Sequence, residues 1–432
     1  MRSGAIARAA YSLLLWLLTP VVLARWWWRG RDEPLYRHAI GERFGHYEDC
    51  AAPGALWIHA VSLGETRAAA ALVDALRRAR PGLKLLLTQG TATGRAAGAA
   101  LLHEGDRQVW LPYDTAGATR RFLAFHRPAA GVLMETEVWP NLLHAAQRAG
   151  VPMLLANARL SEKSRRRGKR FGALMRPAAA SLRLALAQTV DDARRLRASG
   201  VPLVEVSGNI KYDMTPDPRL VRRGRDWRRA VARPVVLAAS TRDGEEAALL
   251  RAWAALAAPR PVLLLVPRHP QRFDAVAAVV RDSGLTLWRR SGWDDAPPPE
   301  AADGDVWLGD SMGEMPLYFG AADVALLGGS FEPLGGQNLI EAAACGCPLV
   351  MGPSTFNFAE AAELSLAAGA SLRVGDIAEG VARAVALAVD PQRGDWAARA
   401  LAFAAAHRGA AERMAAEILA FLPAAPTVPP ST

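Results

Sequence analysis

Three carboxylates and a lysine stand in this chain where apolar segments run out. Ser62-Leu63-Gly64-Glu65 follows LWIHAV and opens an alanine-rich run. A Glu there can take a proton from a bound hydroxyl. It equally completes the S-x-x-E capping box that starts a helix. In VLMETEVWPN, Glu135 and Glu137 follow an apolar strand, and alternation puts them on one face. Lys211, in SGNIKYD, closes another apolar segment. Ionisable groups at the ends of buried strands suit general base work and stabilisation of developing charge; paired salt bridges are the structural alternative.

A second set suits an anionic ligand. LLLVPRHPQRF ends a strand with Arg268 and His269, well placed for a phosphate or carboxylate. The loop DSMGE holds Met312, Gly313 and Glu314, whose amides can read the edge of a nucleobase. Gly335-Gly336 allows a tight turn before Asn338, which opens a helix with Glu341 one turn on. A carboxylate there suits the vicinal hydroxyls of a ribose, and the amides before it suit a phosphate. Each has an ordinary alternative: Arg268 and His269 capping carbonyls, Ser311 capping a helix, Glu341 on a plain surface.

Such residues need a frame. With 432 residues, 51% of them hydrophobic, the chain exceeds one ordinary core and predicts two domains. Apolar strands alternate with helical patterns in two series, broken between Thr215 and Arg229 by Pro216, Pro218 and a charge run. The rhythm predicts an α/β fold of two doubly wound, Rossmann-like domains facing across a cleft, with ligands at the carboxyl ends of the strands. The expected parts are an anchor over 1–31, a first domain over 32–215 and a second over 216–422. The second closes with one alanine-rich helix from about Asp395 to Leu422, and a flexible tail follows over 423–432.

The anchor is the uncharged stretch from Ala9 to Ala24, short for a spanning helix but extended by Trp26, Trp27 and Trp28. Val22-Leu23-Ala24 resembles a signal-peptide cleavage site. Arg25, Arg29, Arg31, Arg37 and Arg43 follow the run and outnumber Arg2 and Arg8 before it, which places the body in the cytoplasm. Three sparse cysteines, Cys50, Cys345 and Cys347, agree with a reducing compartment. The expectation is an uncleaved anchor that spans the bilayer or lies on it. A net charge of +10 calls for an anionic partner, but the arginines are dispersed and no aromatic-basic pattern for nucleic acid is present.

In order, HAVSLGE, TATG, PYD, METEVWPN, NARLSEKS, GNIKYD, PRHPQRF, GDSMGEMPLYF and GGSFEPLGGQNLIE resemble the 3-deoxy-D-manno-octulosonic acid (Kdo) transferases of lipopolysaccharide synthesis. The resemblance covers nearly the whole chain. It implies a GT-B fold, CMP-Kdo as donor, the lipid A precursor lipid IVA as acceptor, and no metal or other cofactor. It also implies attachment to the inner membrane with the catalytic domains on the cytoplasmic side. Glu65 would be the general base of an inverting transfer, and Glu135 and Lys211 would stabilise the transition state. Arg268, His269, Met312, Gly313, Glu314, Asn338 and Glu341 would bind CMP. The run Arg159 to Arg170 would meet acceptor phosphates or anionic headgroups, or be a solvated helix. Two other readings stay open: a GT-B lipid glycosyltransferase using another nucleotide sugar, and a membrane-tethered, non-catalytic binder of anions or nucleic acid.

Overall fold

The structure is a computed structural model that describes residues 2–48 and 53–424; Cys50 and the tail beyond 424 lie outside the described residues. The chain forms two compact units, Met1–Asp213 with Arg408–Thr432, and Met214–His407.

In the first unit, β1 (Leu56–His59), β2 (Leu85–Gln89), β3 (Arg107–Trp110), β4 (Ala130–Met134), β5 (Met153–Ala158), β6 (Leu184–Ala187) and β7 (Val204–Val206) build a parallel sheet. Its order is β3-β2-β1-β4-β5-β6-β7. β1, β2, β4, β5 and β6 are buried at every position, as a parallel sheet covered on both faces requires. Alternation divides their side chains between two cores. Trp57, Leu133 and Leu155 enter one, while Leu56, Ile58, Val132 and Leu154 enter the other. From β1 the chain steps outward to β2 and β3; from β4 it steps the other way. The connections therefore part between β1 and β4, the switch point at which such sheets bind ligands.

The second unit repeats the plan. β8 (Val235–Thr241), β9 (Val262–Pro267), β10 (Leu287–Arg289), β11 (Val306–Leu308), β12 (Val324–Leu327), β13 (Leu349–Met351) and β14 (Ser371–Arg373) are parallel in the order β10-β11-β9-β8-β12-β13-β14. Its switch point lies between β8 and β12. Of these strands β14 carries little sequence signal, because Ser-Leu-Arg is no apolar run and only Ser371 is buried.

The closing helix departs from expectation. The single helix over Asp395 to Leu422 is two, Arg393–Ala406 and Ala410–Leu419, parted at Gly409 with φ 89°. The first helix closes at His407, and Gly409 in the left-handed region is the N-cap from which the second starts. The second helix lies within the expected second domain, 216–422, yet it packs on the first unit. Ala410, Ala411, Met414, Ala415 and Ile418 fill the core shared with the helix Leu63–Ala79. The Asp213 carboxylate, at the chain's exit from this unit, accepts the N–H groups of Gly409 and Ala411 at its return.

Met414 is fully buried in that core. Met414→Ala is expected to lower the stability of the first unit by about 2–5 kcal/mol, read as a lower midpoint in urea unfolding. A loss below about 1 kcal/mol would show that the returning helix is not part of the core.

Candidate active site

Glu65 sits in the first turn of the helix that follows β1. Ser62 caps this helix, its Oγ accepting the Glu65 N–H at 3.4 Å and donating to Glu65 Oε1 at 3.2 Å. Glu65 Oε2 accepts the Val61 N–H at 2.8 Å. The cap thus orients a half-buried carboxylate at the carboxyl edge of β1, so capping leaves room for a chemical role. Burial pushes Glu65 above the ordinary carboxylate range. The Val61 N–H pulls it back, Glu135 raises it further, and Lys211 lowers it.

Glu135 and Glu137 follow β4, on the other side of the switch point. β4 ends at Met134, and Glu135 turns into the left-handed region with φ 58°. Strand alternation therefore does not carry through to Glu137. Glu135 stays attached to β5, donating its N–H to the Ala156 carbonyl at 2.9 Å. Such a conformation costs a non-glycine residue about 1–3 kcal/mol. Burial pushes Glu137 up to about 7, with Glu65 and then Glu135 adding to the rise. Both acidic residues are thus within electrostatic reach of Glu65.

Lys211 is on the single turn Ile210–Asp213. Asn157, fully buried in β5 with φ 51°, holds this turn through its Oδ1, which accepts the Ile210 N–H at 3.2 Å. Asn209 Oδ1 accepts the Lys211 N–H. The structure thus brings Glu65, Glu135 and Lys211 into one electrostatic cluster, and it adds Glu137.

Beside this cluster, Thr136 and Val138 open into a groove of about 750 Å³. Its wall is apolar at Leu160, Phe171 and Met175, and its rim carries Arg159, Arg167 and Lys169. The charged run is the helix Glu162–Arg170, with no residue buried. Glu162 pairs with Arg165 and Arg166 and falls to about 2 through those bonds.

In the second unit the remaining candidates stand in the segments that follow β9, β11 and β12. Arg268 and His269 follow β9, and both are exposed. Slight desolvation first, then the nearby Arg242, Arg268 and Arg272, hold His269 below its ordinary range. Met312, Gly313 and Glu314 follow β11. Met312 is 69% exposed and Gly313 has φ 81°. The Glu314 carboxylate takes a bidentate pair from Arg290 at 3.0 Å and a bond from Ser311 Oγ. Its charge is committed to holding the loop. Asn338 caps the helix Leu339–Ala344 through its Oδ1, and Glu341 follows half-buried on the same helix.

A family model described as 3-deoxy-D-manno-octulosonic-acid transferase (kdotransferase) matches residues 38–214. A 3-deoxy-D-manno-octulosonic acid transferase of Bordetella pertussis is 47% identical over 424 residues, covering 94% of this chain and 98% of that protein. The chain belongs to the Kdo transferase family. A second relative of that name, from Haemophilus influenzae, is 35% identical over 88% of this chain and 90% of its own. Among solved structures, Anabaena HepE in complex with UDP matches 85% of this chain and 99% of its own, with a TM-score of 0.56 at 16% identity. That likeness is one of fold, the GT-B class of glycosyltransferases.

In this Kdo transferase, two residues that motif reading passed over also shape the site edge. Glu245 opens the helix after β8, only 2% exposed. Its carboxylate accepts the N–H groups of Arg242 and Gly329 at 2.8 Å and of Phe331 at 3.2 Å. It therefore ties the loop after β8 to the loop after β12 across the switch point. Ser240, with φ 58°, bends the end of β8 against Gly328, where an added Cβ would come within 2.4 Å of the Ser240 carbonyl oxygen. The available signal was a strand followed by a loop and a helix with Glu in its first turn, the pattern that places Glu65.

The rise at Glu137 makes stability depend on pH. Between its ordinary 4.5 and about 7, the folded state holds the proton more tightly than the unfolded state. The contribution is present in full below 4.5 and is lost as pH rises through 7. Glu137→Gln carries no charge at either extreme. It is expected to match the parent below 4.5 and to exceed it at alkaline pH by about 1–3 kcal/mol in urea unfolding. Equal stabilities at both extremes would contradict the assignment.

Proposed function

We propose that this Kdo transferase moves Kdo from CMP-Kdo onto the lipid A precursor lipid IVA, in one inverting displacement that needs no metal ion, at the cytoplasmic face of the inner membrane. The observation that carries the reading is Glu65, a half-buried carboxylate held by Ser62 and Val61 beside Glu135 and Lys211, with a cation-rimmed apolar groove next to them. Acyl chains match the apolar wall, and the acceptor's phosphates match Arg159, Arg167 and Lys169.

Glu65 takes the proton of the acceptor hydroxyl as that oxygen bonds to the anomeric carbon of Kdo. The bond from that carbon to the phosphate oxygen of CMP breaks, and CMP leaves with the electron pair. Attack opposite the leaving group inverts the anomeric centre. Oxocarbenium-like charge grows on the sugar during the step. A carboxylate at Glu135 suits that charge, and the Lys211 ammonium suits the anionic groups around it. Arg268, His269, the Met312–Gly313–Glu314 loop, Asn338 and Glu341 hold CMP, with Arg268 offsetting the charge of the departing phosphate.

Mass spectrometry of lipid IVA after incubation with the protein, fresh CMP-Kdo and EDTA tests donor, acceptor and metal independence together. The expected result is a gain of one or more Kdo masses, inhibited by CMP and not by UDP. An unchanged acceptor, with folded protein and intact donor, would refute the assignment. Glu65→Gln is expected to lower kcat by about 10²–10⁴-fold while leaving inhibition by CMP intact. Because Glu65 must be ionised to act, the rate rises with pH through a limb above the ordinary carboxylate range. Glu135→Gln should move that limb down and Lys211→Met should move it up, whatever each does to kcat; a limb that stays in place would remove Glu65 as the base.

A further inference from the structure

The N-terminal helix Arg2–Arg29 is among the described residues the one helix long and apolar enough to cross a membrane, over Gly4–Arg29. Its contacts with the first unit argue against crossing. Gly4 lies against the helix Gly172–Ala180, where an added Cβ would sit 3.3 Å from the Ala173 carbonyl oxygen and from Pro177. Tyr11 Oη donates to Asp114 Oδ2 at 3.0 Å, and Ser12 Oγ bonds the Asn141 amide. Tyr113 Oη donates to the Leu15 carbonyl at 3.2 Å. Trp26 meets Phe44 and Tyr113 edge-on, with the Arg43 guanidinium 4.3 Å from its ring.

These contacts recur at helical spacing along one face. From Gly4 to Trp26 the axis runs about 33 Å at 1.5 Å per residue, the full depth of a bilayer's hydrocarbon core. Asp114 is 2% exposed, and it also accepts the Asn141 and Leu142 N–H groups at the start of the helix Pro140–Arg148. It is structural to the body and cannot be shed. A helix crossing the bilayer with these contacts intact would draw Asp114, Asn141 and Tyr113 into hydrocarbon, where ionisable and polar groups are expensive.

The opposite face carries Leu13, Leu14, Trp16, Leu17, Val21 and Trp28, all exposed, with Trp16 and Trp28 at 70%. Exposed Arg25 and Arg31 stand at its C-terminal end beside the tryptophans. An apolar stripe ending in tryptophan and arginine matches the boundary between acyl chains and anionic headgroups.

We propose that this helix lies in the plane of one leaflet of an anionic bilayer, its outer face immersed and its inner face fastened to the first unit. Its N-terminus and the body then share one side of the membrane. The inference rests on the first unit alone and does not depend on the donor or acceptor assigned above.

The test places a protease-cleavable tag before Met1 and another after Thr432 of the full chain, in sealed membrane vesicles of both orientations. Cleavage of both tags in the same orientation is expected; cleavage in opposite orientations would overturn the proposal. In a second arm, purified protein is mixed with vesicles of phosphatidylethanolamine and phosphatidylglycerol. Leu17→Asp with Val21→Asp is expected to weaken partition by about tenfold per substitution without lowering the unfolding temperature. Partition unchanged by the pair, or a dimer in sedimentation that the pair dissolves while partition stays as it was, would also overturn it, because the face would then have another occupant. Kdo transfer in detergent, measured on the same samples, separates the two readings: lost transfer with partition intact would count against the activity only.

Discussion

The first unit depends on one constraint: β1 and β4 lie side by side in a parallel sheet buried on both faces. Parallel neighbours must be joined by crossovers, and crossovers are right-handed. A chain that leaves β1 toward β2 and later leaves β4 toward β5 must part its loops at their shared carboxyl edge. Most positions of the inner strands are apolar and belong to one of the two cores, and none of the inner strands carries an Asp, Glu, Lys or Arg. Charged groups can therefore gather only where the strands end. Glu65 on one side of the gap, with Glu135 and Glu137 on the other, are a consequence of that order, and Lys211 joins them from the turn held by Asn157.

Strained backbone gathers at such edges in both units, although Ala39 and Arg127 also adopt positive φ elsewhere. Glu135, Asn157 and Ser240 all adopt positive φ, at 58°, 51° and 58°, and each belongs to a strand, or directly follows one, at or beside a switch point. Asparagine tolerates this region better than glutamate or serine does. Each is over-determined by its surroundings. Glu135 keeps its hydrogen bond to β5, Asn157 supports the Ile210 turn, and Ser240 packs against Gly328. The strain serves to turn the chain sharply without lengthening the loop, which keeps the carboxylates close to the sheet.

Much of this was legible in the sequence because buried parallel strands read as apolar runs, and polar residues at their ends stand out. What failed to show was of a different physical kind. The alanine-rich pattern of Ala410–Leu419 says which face is apolar but not which core will take it, and only the Asp213 bonds and the packing on Leu63–Ala79 decide that. β14 is too short and too polar to announce itself. Motif reading picked out Glu314 but not the bonds from Arg290 and Ser311 that its carboxylate accepts. Glu137 stood level with Glu135 by spacing; the left-handed turn at Glu135 ends that alternation, and no linear pattern records it.

Glu65 and Glu245 show how one frame puts the same residue type to different ends. Both stand in the first turn of the helix that follows the first strand of a sheet, and burial lifts both carboxyls above their ordinary range. Glu245 is 2% exposed and meets three backbone N–H groups from two loops, so its oxygens are occupied and its charge is a strut. Glu65 meets one backbone N–H and one hydroxyl through its oxygens and stays half-exposed. It keeps lone pairs turned to whatever enters the edge, while its raised affinity for a proton makes it a better acceptor than a surface carboxylate. On the proposed reading of Glu65 as the base, strut and base differ less in the residue or its topological position than in how many donors the neighbouring loops supply.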